Sequence, residues 1–215
     1  MTNKPIIILG AGGHAKVVAE ALRLSGREFI GFVAPDVEAG TTFFGSKLLG
    51  DDSIVFGYST DEIELINGVG ALPRQYHRWK LASMMRKKGY HFATIIHPDA
   101  VVAYDVELAE GVQIMAGVVV QPGTTVGKDT IINTGVIIDH DCTIADNCHL
   151  SPGVICSGDV SVGKNVHIGT GAKAIQGINI GEGSVIAAGS TIYKDVPAGI
   201  LVKQIVKTVI EVVGV

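Results

Sequence analysis

The chain has 215 residues and a formal net charge of −4; 47% of its side chains are apolar, 18% charged and only 6% aromatic. That balance excludes a disordered tail and a charged coiled coil, and no basic stripe marks a nucleic-acid partner. No apolar run approaches the roughly 18 residues of a membrane span, and the odd set of three cysteines points to reduced, buried thiols in the cytoplasm rather than a disulfide framework.

In chain order, Met1–Lys4 leads into an apolar strand, Pro5–Leu9, with no signal-peptide cleavage pattern expected. The glycine-rich loop Gly10-Ala11-Gly12-Gly13-His14 follows, then a helix over Ala15–Ser25 with Val17, Val18, Ala21 and Leu22 at helical spacing. Strand, glycine loop and helix open a βαβ unit. Such a loop lets backbone N–H groups approach a phosphate, and the helix N-terminus adds partial positive charge. The loop does not complete G-x-G-x-x-G, because position 15 is Ala. No acidic residue ends the second strand, Glu28–Ala34; Pro35 and Asp36 follow it. Two readings therefore stand: a phosphate cradle, or a plain tight turn. His14 either donates to a ligand phosphate or caps the turn. A third strand is predicted over Asp61–Val69, a second helix over Gln75–Lys88 and a further strand over His91–Ile96. Residues 1–95 read as a small Rossmann-like α/β layer with a mainly parallel sheet. Its strand ends gather Gly12–His14, Pro35–Asp36 and Gly68–Gly70 at one rim, where ligands of such sheets bind.

From residue 100 the chain divides into six-residue units without an insertion. Every sixth residue from Val102 to Ile192 is apolar, and every sixth residue from Asp105 to Asp195 is Gly, Asp or Asn, sixteen in each series. The first series supplies one inward side chain per unit; the second tolerates the bend. Stacked units bury a continuous core, so residues 96–198 read as a β-helix. Cys156 falls in the inward series, and Cys142 and Cys148 begin units at a small-residue position, so all three pack in the core. His140 lies two residues past the inward Ile138, at an exposed bend. His149 and His167 are eighteen residues apart and stack on consecutive coils. Residues 199–215 lose the six-residue phase and read as a cap. Histidine spacings of nine and eighteen suit no shared metal centre, and Cys142 and Cys148 belong to different sides of a coil, so no metal is expected.

Three motifs together carry a family resemblance: the opening Gly-Ala-Gly-Gly-His, Ile96-His97-Pro98 at the junction, and the run from Asn133 through Asp139-His140-Asp141-Cys142. They resemble the family of PglD and NeuD, which includes PglD-like and GDP-perosamine N-acetyltransferase-like enzymes and the sialic acid O-acetyltransferases. The resemblance implies a left-handed parallel β-helix with three units per coil, a homotrimer with active sites between chains, and acetyl-CoA as co-substrate. It implies N-acetylation of the 4-amino group of a nucleotide-linked 4-amino-4,6-dideoxy sugar, with sugar O-acetylation as the alternative. It casts His140 as general base, Asp141 as its acidic neighbour (Glu in PglD) and Asn133 as a residue near the active centre. His149, Gly158, Thr170 and Ala188 fall on acetyl-CoA-binding positions. Gly12, Gly13, His14 and Gly70 fall on sugar-nucleotide positions, as do Pro35 and Asp36, where the family usually has Asp-Asp. The chemistry fits. An unprotonated amine must attack a thioester, and imidazole suits proton acceptance near pH 7. A carboxylate on its other nitrogen fixes the tautomer, and direct attack needs no covalent intermediate.

Overall fold

The computed structural model describes residues 4–35 and 37–203. Strand β1 (Ile6–Leu9) is wholly buried, as its four-residue apolar run requires. Helix α1 (Gly13–Leu24) buries Ala15, Val18, Ala19, Ala21 and Leu22, a stripe at helical spacing that covers the sheet. Strand β2 (Phe29–Val33) pairs parallel with β1. A hairpin follows, β3 (Thr42–Phe43) and β4 (Ser46–Gly50), and β4 lies parallel beside β2. The sequence reading contains no such hairpin. Its turn places Phe44 at φ 46° and Gly45 at φ 72°. Two positive φ values mark the hairpin turn that usually advertises itself as Asn-Gly or Asp-Gly. Here Phe44 holds the first position while Arg23 donates to its carbonyl and stacks on its ring at 4.8 Å.

A short 3-10 helix (Asp52–Gly57) leads to β5 (Glu64–Asn67), parallel to β1 on its other side, and then to α2 (His77–Lys87). The sheet order is β3-β4-β2-β1-β5. The predicted strand over His91–Ile96 is corrected. Phe92 makes one parallel bridge to Leu65, whereas Ile95–Ile96 pairs with Gln113–Ile114 of the solenoid. The segment crosses from one sheet to another, so its apolar residues serve two cores.

Beyond it, two-residue strands recur every six residues and form three parallel sheets of six, five and seven strands. The register is eighteen residues: Val119 faces Ile137, Thr125 faces Thr143 and Ile131 faces His149. The inward series is buried from Ile114 to Ile192; only Val102 and Leu108, on the first coil, are half-buried. In the bend series every residue from Gly111 to Gly189 has φ between 58° and 76°. From Asp129 to Gly189 this conformation turns each bend residue so that its N–H bonds a carbonyl on the preceding coil, as Asp141 does to Pro122 at 3.0 Å. Cys142, Cys148 and Cys156 are buried in this core, and burial pushes the Cys148 and Cys156 thiols up to about 12. At the far end Leu201–Val202 continues the seven-stranded sheet beside Val185–Ile186. The rest of the expected cap, from residue 204 on, lies outside the described residues.

The two parts are pinned by Arg86 of α2. Its guanidinium bonds both oxygens of Asp129 (2.6 and 2.8 Å) and Glu110 (3.0 Å), and Glu110 also accepts from Phe92 N–H. This clamp ties α2 to the bends by which the chain enters the seven-stranded sheet of the solenoid.

Candidate active site

The rim is built by three strand ends. Gly10, at φ 98°, lies so close to Gly68 and Val69 that a Cβ would sit about 3.1–3.3 Å from them. Gly12 precedes the helix and Gly13 opens it. Neither has an atom within 4 Å of where a Cβ would be, and the first turn of α1 holds no acidic side chain. An open, uncapped helix N-terminus of this kind attracts anions. Pro35 is exposed beyond β2, and Gly70 is exposed beyond β5, close to His14 alone. Asp36 lies outside the described residues.

His14 reaches toward the solenoid. Its Nε2 meets Gln113 Oε1 at 2.7 Å, across the domain boundary, while Gln113 Nε2 donates to Asn67 O at 2.8 Å. With that amide orientation His14 Nε2 is the donor. Burial, and after it the positive charge of Arg78, pulls its pKa down to about 3, so the ring is neutral.

The solenoid contributes two further groups on opposite edges of the six-stranded sheet. Asn133 sits at the corner where the chain enters that sheet. Its Nδ2 meets His149 Nε2 at 3.2 Å, and His149 Nδ1 donates to Ala71 O at 2.9 Å. Those bonds fix the Nδ1–H tautomer. Burial and the neighbouring His167 lower the His149 pKa to about 4. His167 stacks on His149 edge-to-face, centroids 4.9 Å apart, as the eighteen-residue spacing predicts. Thr170 and Ala188 are exposed at the same corner on later coils, joined through the Gly189 N–H to Thr170 O bond. Asn133, His149, Thr170 and Ala188 thus line one track up the solenoid.

His140 and Asp141 stand at the other corner, where the chain leaves the six-stranded sheet. His140 Nδ1 is 2.8 Å from Asp141 Oδ2, and both side chains are exposed. The bond to Asp141 raises the His140 pKa above its ordinary value, with help from Asp139 and Asp159. Gly158 lies one coil on, not on the Thr170–Ala188 track. A Cβ there would sit 2.5 Å from His140 Nε2. The bare backbone leaves Nε2 its space. Sequence reasoning missed Asn67, Ala71, Arg78 and Gln113, which join the rim to His149. A polar Gln113 in an outward ladder between Ile95 and Ile131 was the available signal. Among the described residues no group of three or more His, Cys, Asp or Glu is placed to hold a metal, and no helix is long and apolar enough to cross a membrane.

An open helix N-terminus at the rim of an α/β sheet, docked on a β-helix of six-residue units with an exposed His-Asp pair, is the architecture of a hexapeptide acyltransferase. Family models agree: the PglD N-terminal domain matches residues 5–85, and the hexapeptide repeat of succinyl-transferase matches residues 159–194. The chain is 36% identical to PerB from Caulobacter crescentus, solved with CoA and GDP-perosamine, with TM-score 0.84 and 92% of each chain covered. It is 30% identical to the acetyltransferase domain of PglB from Neisseria gonorrhoeae, solved with acetyl coenzyme A, with TM-score 0.85 over 93% of this chain and 96% of that one. WeeI from Acinetobacter baumannii is 27% identical, with TM-score 0.76 over 92% and 95%. No curated protein sequence matches. The chain belongs to the family of acetyl-CoA-dependent sugar N-acetyltransferases that carry a PglD-type N-terminal domain, as the sequence motifs lead one to expect.

Proposed function

We propose that the protein transfers acetyl from acetyl-CoA to the 4-amino group of a nucleotide-linked 4-amino-4,6-dideoxy sugar, with His140 as general base. The observation that carries this reading is the 2.8 Å contact between His140 Nδ1 and Asp141, which leaves Nε2 free beside the bare backbone of Gly158. The amine nitrogen attacks the thioester carbon while Nε2 takes its proton. The tetrahedral oxyanion collapses, the C–S bond breaks, and the imidazolium returns the proton to the departing thiolate. Asp141 stabilises the imidazolium. The rim of Gly12, Gly13 and Gly70 holds the nucleotide diphosphate, and the track from Asn133 and His149 to Thr170 and Ala188 holds the coenzyme. The solved relatives with GDP-perosamine and acetyl coenzyme A support both assignments. We place the reaction in the cytoplasm, with its co-substrate.

Within one chain the base and the coenzyme track stand on opposite edges of one sheet. That sheet presents an outward apolar ladder of Val101, Val119, Ile137 and Ile155. Val101 is 64% and Ile137 41% exposed, values that suit a face covered by assembly. Packing of this face around a threefold axis in a homotrimer brings His140 of one copy to Asn133 and His149 of the next.

The test is thiol release from acetyl-CoA with GDP-, UDP- and dTDP-linked 4-amino sugars and with sialic acid. Turnover with one nucleotide amino sugar, lost by a factor on the order of 10²–10⁴ in H140A, is expected. Near wild-type turnover in H140A refutes the base, and turnover with sialic acid alone refutes the acceptor. For the shared site, H140A and H149Q chains co-expressed must regain activity that neither has alone. No recovery refutes the trimeric site.

A further inference from the structure

Arg78, in the first turn of α2, is 1% exposed and is the largest of the fully buried side chains. Its Nη1 donates to two backbone carbonyls, Asn67 O and Val69 O, each at 2.6 Å. Its Nε and Nη2 have no partner among the described residues. Asp129, the acidic group whose charge it senses, is bonded to Arg86 instead. A dry cation bonded only to carbonyls is costly. Packing alone is served better by an apolar side chain, such as Leu81, Ala82 and Met85 on the same face of α2.

What the guanidinium grips is a loop with two working ends. The loop is already tight: Gly68 N–H bonds Leu9 O at 2.7 Å, and a Cβ at Gly68 would sit 2.7 Å from Ile8 and 2.9 Å from Ala15. Asn67 locks its start. The Asn67 side chain donates to Arg78 O at 2.8 Å and accepts from Val69 N–H at 3.1 Å. Gly70 then lies open at the rim beside His14, and one residue on, Ala71 O receives the Nδ1 proton of His149. Five residues therefore run from the rim to the coenzyme track, and Arg78 is the side chain that holds two of their carbonyls.

We propose that Arg78 is a positioning residue for both substrates: by gripping Asn67 O and Val69 O it sets where Gly70 meets the sugar nucleotide and where Ala71 O meets His149. The inference rests on the acetyl-transfer reading above. One loop then fixes the acceptor and the thioester relative to each other. Burial lowers the pKa of His14 and of His149 most, and the positive charge of Arg78 adds to it, last among the causes at His149.

The test uses the full chain with R78M, which removes both bonds and the charge at similar volume, and R78K, whose nitrogen ends one bond short. Expected in folded R78M are a rise in the KM for the nucleotide sugar and a fall in kcat on the order of tenfold each. The ¹⁵N signals of His149 should turn from one Nδ1–H tautomer to a mixture. R78K should fall between. The acid limb of kcat/KM, set by His140 at the other corner, should not move. A residue that merely stiffens the fold lowers Tm and leaves tautomer and kinetics per folded molecule alone. Wild-type KM, kcat and tautomer in folded R78M overturn the proposal; if R78M does not fold, the same result in R78K overturns it. Should wild type acetylate no nucleotide sugar, the functional reading fails, while the His149 tautomer still decides the role of Arg78.

Discussion

Acid should destabilise this protein well before its carboxylates titrate. His14 and His149 are held at the junction of the two parts, where burial disfavours the charged ring. His149 Nε2 accepts from Asn133, and a proton there would face another donor. Their pKa values fall from 6.5 to about 3 and about 4, chiefly through burial. Above pH 6.5 both rings are neutral whether the chain is folded or not, so neither contributes. Below 6.5 the unfolded chain binds two protons that the folded chain refuses, and stability falls with pH until about 4, where His149 begins to protonate in place. At pH 5 each ring is about 1.5 pH units below its unfolded value, which costs about 2 kcal/mol, or about 4 kcal/mol for the pair. A typical domain has only about 5–15 kcal/mol to lose. Urea unfolding at pH 7.5, 6 and 5, at one protomer concentration, measures this. H149Q should remove about half of the loss. A pH 5 stability within about 1 kcal/mol of the pH 7.5 value, or an unchanged pH slope in H149Q, refutes the reasoning.

Three further outcomes follow from the geometry. In D141N the His140 pKa loses its main upward cause, so the acid limb of kcat/KM should shift to lower pH while the plateau drops; a limb that stays in place in a pH–rate profile contradicts the pairing. G158A places a Cβ 2.5 Å from His140 Nε2, about 0.9 Å inside ordinary contact, so the ring must swing off Asp141. Turnover should fall on the order of 10²-fold with Tm nearly unchanged, and wild-type turnover shows that the ring is not held as described. R86M strands Asp129, whose side chain is 6% exposed, and should cost about 3 kcal/mol in denaturant unfolding; R86M/D129N should recover part of it, and no recovery argues against the clamp.

The solenoid was readable because each six-residue unit carries its own instructions. An inward apolar residue and a bend residue that accepts positive φ are local demands, and Asp129, Asp141, Asn147, Asp159 and Asn165 meet the second without glycine. The hairpin at Thr42–Gly50 was not readable, because its turn rests on Phe44 in a left-handed conformation that Arg23 supports from helix α1, 21 residues away. Propensity at Phe44 argues against the turn that tertiary contact imposes.

The site divides along the same line. His140 and Asp141 are adjacent in sequence, and the bend presents both, so their pairing was visible. His149 over His167 followed from the coil length. The network that joins His149 to the rim was invisible, since its bonds span 11, 46, 78 and 99 residues and no short motif encodes them. Beside Gln113, a second trace remained in the sequence: Arg78 occupies the apolar stripe of α2, at the spacing of Leu81, Ala82 and Met85, where a cation has no packing reason to be. A charge on a buried stripe and a glutamine in an apolar ladder are both local errors for a core, and both mark the seam where the α/β rim meets the β-helix. The repeat that makes the fold so regular also fixes the distance between the His140–Asp141 pair and the Asn133–His149 track, since residues seven positions apart, Asn133 and His140, must stand on opposite corners of one sheet. No side-chain adjustment within a chain closes that gap, and the exposed ladder of Val101, Val119, Ile137 and Ile155 lies between the two corners. On the proposed reading, burying that ladder and completing the site are one event.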